Sequence, residues 1–134
     1  MVVVAAVIVR DGRILVCQRN RKDSFPLKWE FPGGKVKRGE TPAAALAREL
    51  REELGVGSTI GEEVFRTRHK YSQMKDEVEL IFFRANLESA TVQNRVFESI
   101  AWLEPAALPA KDFLDADKGL IEKLAGGDGI LPRA

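Results

Sequence analysis

The stretch that decides the fold is residues 34–56, which reads GKVKRGETPAAALARELREELGV. A glycine-bounded loop leads directly into a helix that carries three carboxylates within five positions, Glu49, Glu52 and Glu53. At about 100° per residue, these side chains share one helix face about 100° wide. Oxygen ligands clustered in this way suit Mg²⁺ or Mn²⁺, and Mg²⁺ binds through a few carboxylates together with substrate phosphates. The stretch therefore predicts a hard-cation site beside a flexible loop.

The helix is well specified without these glutamates. Thr41 is a suitable N-cap, Pro42 suits the first helical position, and Gly55 suits the left-handed residue that ends a helix. A second face is apolar and is predicted to enter the core; it consists of Ala43, Leu46, Ala47, Leu50 and Leu54. The glutamates therefore need an explanation of their own.

A solvated acidic face, paired with Arg48 and Arg51, is the alternative explanation of the glutamates. Two observations count against it. Like charges three or four positions apart repel each other and destabilise a helix slightly. The helix also follows an unusual loop, in which Phe31-Pro32-Gly33-Gly34 is succeeded by Gly39-Glu40. We therefore favour metal binding.

The same residues resemble the Nudix box, which is Gly, five residues, Glu, seven residues, Arg-Glu, an aliphatic, any residue, Glu-Glu, any residue, Gly and an aliphatic. The matching residues are Gly34, Glu40, Arg48, Glu49, Leu50, Glu52, Glu53, Gly55 and Val56. The stretch from Trp29 to Lys35 resembles the MutT branch of that family, the nucleoside triphosphate pyrophosphohydrolases. The resemblance implies an α/β (α+β) fold, an α/β/α sandwich around a mixed β-sheet, and hydrolysis of a nucleoside diphosphate linked to another group.

The resemblance also implies catalytic roles. Glu52 and Glu53 are expected to bind Mg²⁺, with Mn²⁺ as the alternative metal, and Glu49 is expected to be a third ligand or the general base. The carbonyl of Gly33 is expected to reach the same metal. Arg48 is expected to pair with Glu40 and to orient a catalytic carboxylate.

A distal carboxylate often completes the metal site in this family. Glu98 is the candidate, but it lies four residues before Trp102, whereas the MutT pattern places the glutamate six residues before the matching tryptophan. Glu77 and Glu79 are alternatives for this role. A surface or structural role is open for all three glutamates.

The predicted substrate contacts are Arg19, Phe31, Gly34, Lys35 and Asp117. Arg19 and Asp117 match positions at which MutT-like enzymes contact the substrate, and Asp117 stands where MutT has a base-reading asparagine. An ionised carboxylate accepts hydrogen bonds and donates none, so Asp117 is expected to favour the N–H edge of guanine or 8-oxoguanine, or the exocyclic amine of cytosine. The alternative is a helix N-terminal aspartate that the helix dipole stabilises.

Composition is that of an ordinary soluble protein. The chain has 134 residues, 45% hydrophobic and 31% charged, with a net charge of +1. A balanced charge argues against duplex nucleic acid as a partner. The single cysteine, Cys17, excludes an intramolecular disulfide, and no apolar run is long enough for a membrane span. We expect a cytoplasmic monomer or homodimer that binds a nucleotide.

The pattern along the chain predicts strands at 2–9, 13–19, 29–31, 58–71, 76–87 and 99–103, with a tight hairpin at Asp11-Gly12. Helices are predicted at 41–54 and 115–125. We interpret residues 1–125 as a single Nudix-type domain and residues 126–134 as a frayed tail.

The function that these expectations favour is divalent-metal-dependent hydrolysis of a nucleoside triphosphate to a nucleoside monophosphate and pyrophosphate. A modified nucleotide such as 8-oxo-dGTP is the favoured substrate, with CTP or a modified dCTP next. Other Nudix substrates, such as ADP-ribose, NADH or a dinucleoside polyphosphate, remain alternatives, as does a catalytically inactive nucleotide-binding module.

Overall fold

The computed structural model of the protein describes residues 1–127, so most of the predicted tail, residues 128–134, lies outside the described residues. The described chain forms eight strands, which are β1 Val2–Val7, β2 Val9–Arg10, β3 Arg13–Gln18, β4 Trp29–Glu30, β5 Gly33–Lys35, β6 Ser58–His69, β7 Val78–Leu87 and β8 Ser99–Leu103. The α-helices are α1 Pro42–Leu54 and α2 Lys118–Ala125, and two 3₁₀ segments cover Pro105–Ala110 and Asp115–Asp117.

The strands form two sheets. The first has the order β5-β1-β7-β6 and is mixed, because β1 runs parallel to β7 and the other neighbours are antiparallel. The second is antiparallel, and its central strand β3 pairs with β2, β4 and β8. The predicted strand at 2–9 is interrupted at Ile8, whose buried carbonyl accepts the Leu15 N–H, so β1 and β2 join different sheets. The predicted mixed sheet is confirmed, and the second sheet was not predicted.

The first sheet lies between two helical layers, as the predicted α/β/α sandwich requires. Helices α1 and α2 cover opposite faces of this sheet. Alternate residues of a strand point to opposite sides, so each strand contributes side chains to both layers. The α1 layer contains Val4, Ala6, Ile81, Leu46, Leu50 and Leu54, all buried. The α2 layer contains Ala5, Val7, Leu80, Phe82, Leu120 and Leu124, also buried. Burial on both faces explains why β1 reads as a continuous apolar run.

The tight turn at Asp11-Gly12 joins β2 to β3 as the sequence predicts. Asp11 has φ 53° and Gly12 has φ 74°, and positive values at both central residues are those of a type I′ turn. Register is fixed on either side of it, with Arg10 paired to Arg13. This hairpin continues through β3 to Gln18, after which the chain enters the candidate site.

The glycine pair, expected from the sequence to be part of a loop, lies in a strand. Gly33 and Gly34 form the first two residues of β5 and pair with Ala5 and Val4 of β1. A Cβ atom at Gly33 would collide with the carbonyl oxygen of Val4 and lie 2.7 Å from the Ala5 Cα. Glycine therefore allows β5 to reach β1, and this contact fixes the loop that leads into α1.

Candidate active site

The capping of α1 sets the position of its glutamates along the helix axis. Thr41 Oγ1 accepts the Ala44 N–H at 3.1 Å, and Gly55, with φ 66°, donates its N–H to the Arg51 carbonyl at 3.0 Å. Both predicted caps are confirmed. Because the helix cannot slide between these caps, the register of every side chain on it is fixed.

The packing of α1 sets its rotation. The three predicted core leucines are fully buried, but the buried alanine is Ala45 and not Ala43, which is exposed. The physical reason is that α1 packs against β1 and β5 as well as β6, which turns the buried side toward the glycine pair. Glu53 and Glu49 consequently face β5, whereas the Glu52 side chain remains 55% exposed.

Arg48 organises the outer edge of the site. Its Nε and Nη2 donate to the two carboxylate oxygens of Glu40 at 2.7 and 3.0 Å, and Nη2 also donates to the Lys35 carbonyl at 3.1 Å. Its Nη1 approaches Glu49 at 3.0 Å and Glu52 at 3.3 Å. The hydrogen bonds from Arg48, together with the Lys37 N–H, hold the pKa of Glu40 at about 2. Arg48 therefore connects the loop to two box carboxylates.

Glu49 and Glu53 lie against the glycine pair. The Gly33 N–H donates to Glu53 Oε1 at 3.1 Å. The carboxylate of Glu49 covers the Cα of Gly34 so closely that a Cβ there would lie 2.6 and 2.7 Å from its two oxygens. Each glycine thus makes room for a glutamate that the helix presents. In this structure, the groups that approach the backbone of Gly33 and Gly34 closely are the carboxylates of Glu53 and Glu49.

Glu53 carries the most perturbed carboxylate of the box. Burial is the main cause, followed by the negative charges of Glu30 and Glu49, and together they raise the pKa of Glu53 to about 9. The hydrogen bond from Gly33 acts in the opposite direction and is outweighed. Several carboxylates therefore share a region with too little positive charge to neutralise them.

The donor set fits a divalent cation of the hard type. The carboxylate oxygens of Glu49 lie against Gly34 and those of Glu53 against Gly33, and the local excess of negative charge is what a Mg²⁺ or Mn²⁺ ion would offset. Across residues 1–127, no three acidic, cysteine or histidine side chains converge into a ready-made metal cluster, because Glu49 and Glu52 are turned toward Arg48.

A cavity of about 250 Å³ opens beside Glu53 and β5. It brings together all the predicted substrate contacts, since its lining includes Arg19, Phe31, Gly34, Lys35 and Asp117 along with Gly33 and Glu53. The remaining lining residues are Val3, Val4, Ala5, Glu30, Leu80 and Leu114. The metal-binding edge predicted on α1 and the predicted base-reading residue therefore border one space.

Asp117 is buried in the lining of this cavity, and its protonation differs from the expectation of an ionised carboxylate. It is only 3% exposed, and its Oδ2 has no hydrogen-bond partner within the described structure. The Phe31 N–H donates to its carboxyl group, but burial, with Glu30 second, raises the pKa of Asp117 well above its usual range. The expected ionised carboxylate is therefore disfavoured in the free protein, and a neutral acid both donates and accepts.

The alternative role for Asp117 finds no support in its contacts. Asp117 is the residue before α2, yet its side chain makes no capping hydrogen bond to that helix. Phe31, the other predicted wall of the base pocket, is buried and packs edge-on against Phe82 at 5.6 Å between ring centroids. Both side chains line the cavity, and Phe31 also belongs to the hydrophobic core of the α2 layer.

The predicted distal carboxylates do not line the cavity. Glu98 pairs with Arg21, with both contacts at 3.3 Å. Glu79 lies 2.9 Å from Arg68, which also contacts Glu77 at 3.4 Å. All three carboxylates are paired with arginines in this structure, and a catalytic role for any of them stays a prediction.

Glu30 is the charged lining residue that sequence-based reasoning missed. Its carboxylate is mostly buried and lies 3.0 Å from Arg19 Nη1, and burial raises its pKa. The one signal in the sequence was a carboxylate between two aromatic residues, Trp29 and Phe31, in a short apolar strand. Such a residue needs a partner, because an isolated buried charge is costly.

Comparison with known proteins gives consistent results. The sequence model of the NUDIX domain matches residues 1–124. The chain is 37% identical over 120 residues to a CTP pyrophosphohydrolase of Escherichia coli (90% of this chain, 87% of the relative). It is also 37% identical over 123 residues to an 8-oxo-dGTP diphosphatase of Haemophilus influenzae (90% and 89%). The solution structure of the E. coli ORF135 protein superposes with a TM-score of 0.80 at 33% identity, covering 99% of this chain and 94% of that one.

Proposed function

Because this chain belongs to the NUDIX family, we propose that it hydrolyses nucleoside triphosphates to a nucleoside monophosphate and pyrophosphate, as a divalent-metal-dependent hydrolase of phosphoric anhydride bonds. The observation that carries this proposal is the shared cavity, in which the α1 carboxylate Glu53 and the buried acid Asp117 line one space. A nucleotide needs a site for its polyphosphate and a site for its base, and one cavity that contains both Glu53 and Asp117 can provide the two.

The polyphosphate end is assigned to α1 and β5. A bound Mg²⁺ (Mn²⁺ is the alternative) would supply charge neutralisation and would lower the pKa of a water molecule at this edge. The proposed metal ligands are the carboxylates of Glu49, Glu52 and Glu53 and the carbonyl of Gly33. Glu49 is alternatively the general base. Arg48 orients this edge, since it holds Glu49 and the loop carbonyl of Lys35 through one guanidinium. Lys35, on the same strand, is proposed to meet a phosphate.

The base end is assigned to Phe31 and Asp117, and two substrates are favoured by different observations. The Haemophilus relative is named for 8-oxo-dGTP, which remains the first substrate to test. A neutral Asp117 favours CTP or a modified dCTP, because a carboxylic acid donates to the cytosine N3 and accepts from its exocyclic amine. Guanine presents two adjacent N–H donors, N1–H and the exocyclic N2–H, which suit the two acceptor oxygens of an ionised Asp117 instead.

The direct test measures pyrophosphate release with Mg²⁺ across a panel of nucleoside triphosphates that contains 8-oxo-dGTP, CTP and their unmodified counterparts. ADP-ribose, NADH and a dinucleoside polyphosphate are included as other substrates of the family. Glu53→Gln is expected to lose at least about a hundredfold in kcat, as removal of a transition-state charge stabiliser commonly does. Glu63→Gln is the control for the same substitution, since Glu63 pairs with Arg66 and lies outside the cavity. No turnover of any triphosphate by the wild type would reject the proposal.

A cytoplasmic monomer or homodimer acting on free nucleotides completes the proposal. It is supported by the balanced charge of the chain, and residues 1–127 contain no helix that is long and apolar enough to cross a membrane. Size-exclusion chromatography with light scattering measures the oligomeric state directly. A single Nudix domain over residues 1–125 belongs to the same proposal.

A further inference from the structure

Glu30 lines the cavity, but the proposed chemistry gives it no role. It lies on β4, paired in register with Cys17 of β3, and its side chain is 18% exposed. Its charge is felt by carboxyl groups at both ends of the cavity, Glu53 and Asp117. Its direct contact is with Arg19, whose Nη1 donates to Glu30 Oε1 at 3.0 Å. Any effect of Glu30 on its surroundings through direct contact is therefore transmitted by Arg19.

Arg19 uses its other donors to hold the loop between β3 and β4. Its Nε donates to the Ser24 carbonyl at 2.7 Å, and its Nη2 donates to Ser24 Oγ at 3.1 Å. The backbone closes the base of the loop, because the Arg19 N–H donates to the Lys28 carbonyl at 2.8 Å. One guanidinium thus ties the middle of an otherwise exposed loop to a buried carboxylate.

The loop requires such an attachment because its backbone is strained. Phe25 has φ 52° and Leu27 has φ 63°, which is the left-handed region that side chains other than glycine, asparagine and aspartate rarely adopt. This conformation places the Phe25 ring 4.6 Å from the ring of Tyr71. Without contacts that hold it, the loop is expected to relax to ordinary backbone angles and to withdraw Phe25.

Tyr71 links Phe25 of the loop to the segment that contains Asp117. Its hydroxyl accepts the Ala116 N–H at 3.0 Å, and Ala116 directly precedes Asp117. A continuous set of contacts therefore leads from Glu30 through Arg19, the loop and Tyr71 to Asp117. Since Glu30 and Asp117 line the same cavity, the contacts surround the base end of the proposed nucleotide site.

We propose that Glu30 is a positioning and specificity-determining residue, which fixes the Arg19 guanidinium so that Arg19 holds the loop from residue 20 to residue 28 and thereby the base end of the cavity. This inference rests on the proposed function and deepens it, because it names what sets selectivity outside the Nudix box. Glu30 touches neither the cleaved bond nor the metal edge in this role. Its loss is therefore expected to alter nucleotide binding and discrimination much more than turnover.

Kinetics of Glu30→Gln on the best triphosphate provide the first test. We expect KM to rise by about tenfold, the scale of one charge-assisted hydrogen bond, while kcat changes by less than about threefold. The ratio of kcat/KM between the best and the poorest triphosphate should fall by a similar factor. In an Arg19→Met background, the same substitution should change KM by less than about twofold, because its effect is transmitted by Arg19. Additive effects, or a fall in kcat with unchanged KM, would overturn the proposal.

Limited proteolysis tests the same inference without any substrate, so it remains decisive if the proposed activity fails. The loop contains the trypsin sites Arg21 and Lys22. Glu30→Gln should be cleaved there about tenfold faster than the wild type, whereas the remote Glu63→Gln should match the wild type. Ser24→Ala, on the exposed loop, gives a second and readily folded variant with a smaller effect in the same direction. Equal cleavage rates in wild type, Glu30→Gln and Ser24→Ala would refute the role of Glu30.

Discussion

Glu53→Gln should make the metal-free protein more stable while removing its activity. Glu53 is largely buried, and burial with the charges of Glu30 and Glu49 raises its pKa to about 9. Glutamine keeps the shape of the side chain and can still accept the Gly33 N–H, which donates at 3.1 Å in the wild type. The substitution therefore removes an ionisable group from an unfavourable place and leaves its hydrogen bond.

The magnitude follows from proton linkage. As pH rises from the ordinary value of 4.5 toward about 9, the unfolded chain releases the Glu53 proton while the folded protein retains it. The folded state then binds more protons, so its stability falls as pH rises through that window. At about pH 7.5 the ceiling on this cost is about 4 kcal/mol. Relaxation of the site reduces it, and we expect a gain of about 1–2 kcal/mol, or about 4–7 °C in Tm for a chain of this size.

Thermal unfolding in EDTA, measured from about pH 5 to about pH 8.5, checks the expected stabilisation across the linkage window. The gap between Glu53→Gln and the wild type should widen as pH rises. Glu52→Gln is the matched control, because Glu52 is on the same helix but more than half exposed, and it should shift the free energy of unfolding by less than about 0.5 kcal/mol. Excess Mg²⁺ should narrow the gap by binding the wild type more tightly. A less stable Glu53→Gln at alkaline pH would refute the reasoning.

Three further predictions concern other residues of the candidate site. Arg48→Lys keeps the charge but loses the paired contact with Glu40, and kcat/KM should fall by about tenfold or more in steady-state assays. Gly34→Ala places a Cβ within 2.7 Å of both Glu49 oxygens, so kcat should fall sharply, and metal titration should show weaker binding. In the wild type, KM for CTP should rise with pH as the buried acid Asp117 ionises; Asp117→Asn should remove that dependence, and an unchanged pH profile would contradict the assignment.

The sequence was sufficient for features that short stretches determine. The helix from Pro42 to Leu54 follows from a capping threonine, a first-turn proline and a terminal glycine, and all three act within a few residues of themselves. The Asp11-Gly12 turn is equally local. The family fold followed from the box, because the spacing of its glutamates and glycines reflects the contact between α1 and β5.

Features that depend on distant partners could not be obtained in this way. In the sequence Gly33 and Gly34 look like part of a loop, and only their pairing with β1 makes them a strand. Arg19 appears free to meet a substrate until Glu30 and Ser24 are seen to occupy its guanidinium. The raised pKa of Asp117 depends on the burial of its side chain, which no pattern within its own segment indicates.

The electrostatics of the cavity connect the two ends that the fold keeps apart. Glu30 raises the pKa of Glu53 at the metal edge and of Asp117 at the base end, and Arg19 is its direct counter-charge. A cation bound at Glu53 would offset part of this negative charge and so also ease ionisation of Asp117. Base preference should consequently depend on whether metal is bound, with metal favouring the guanine edge over the cytosine edge. Nucleotide affinities measured with and without Mg²⁺ at one pH would reveal that coupling, and Glu30→Gln should weaken it.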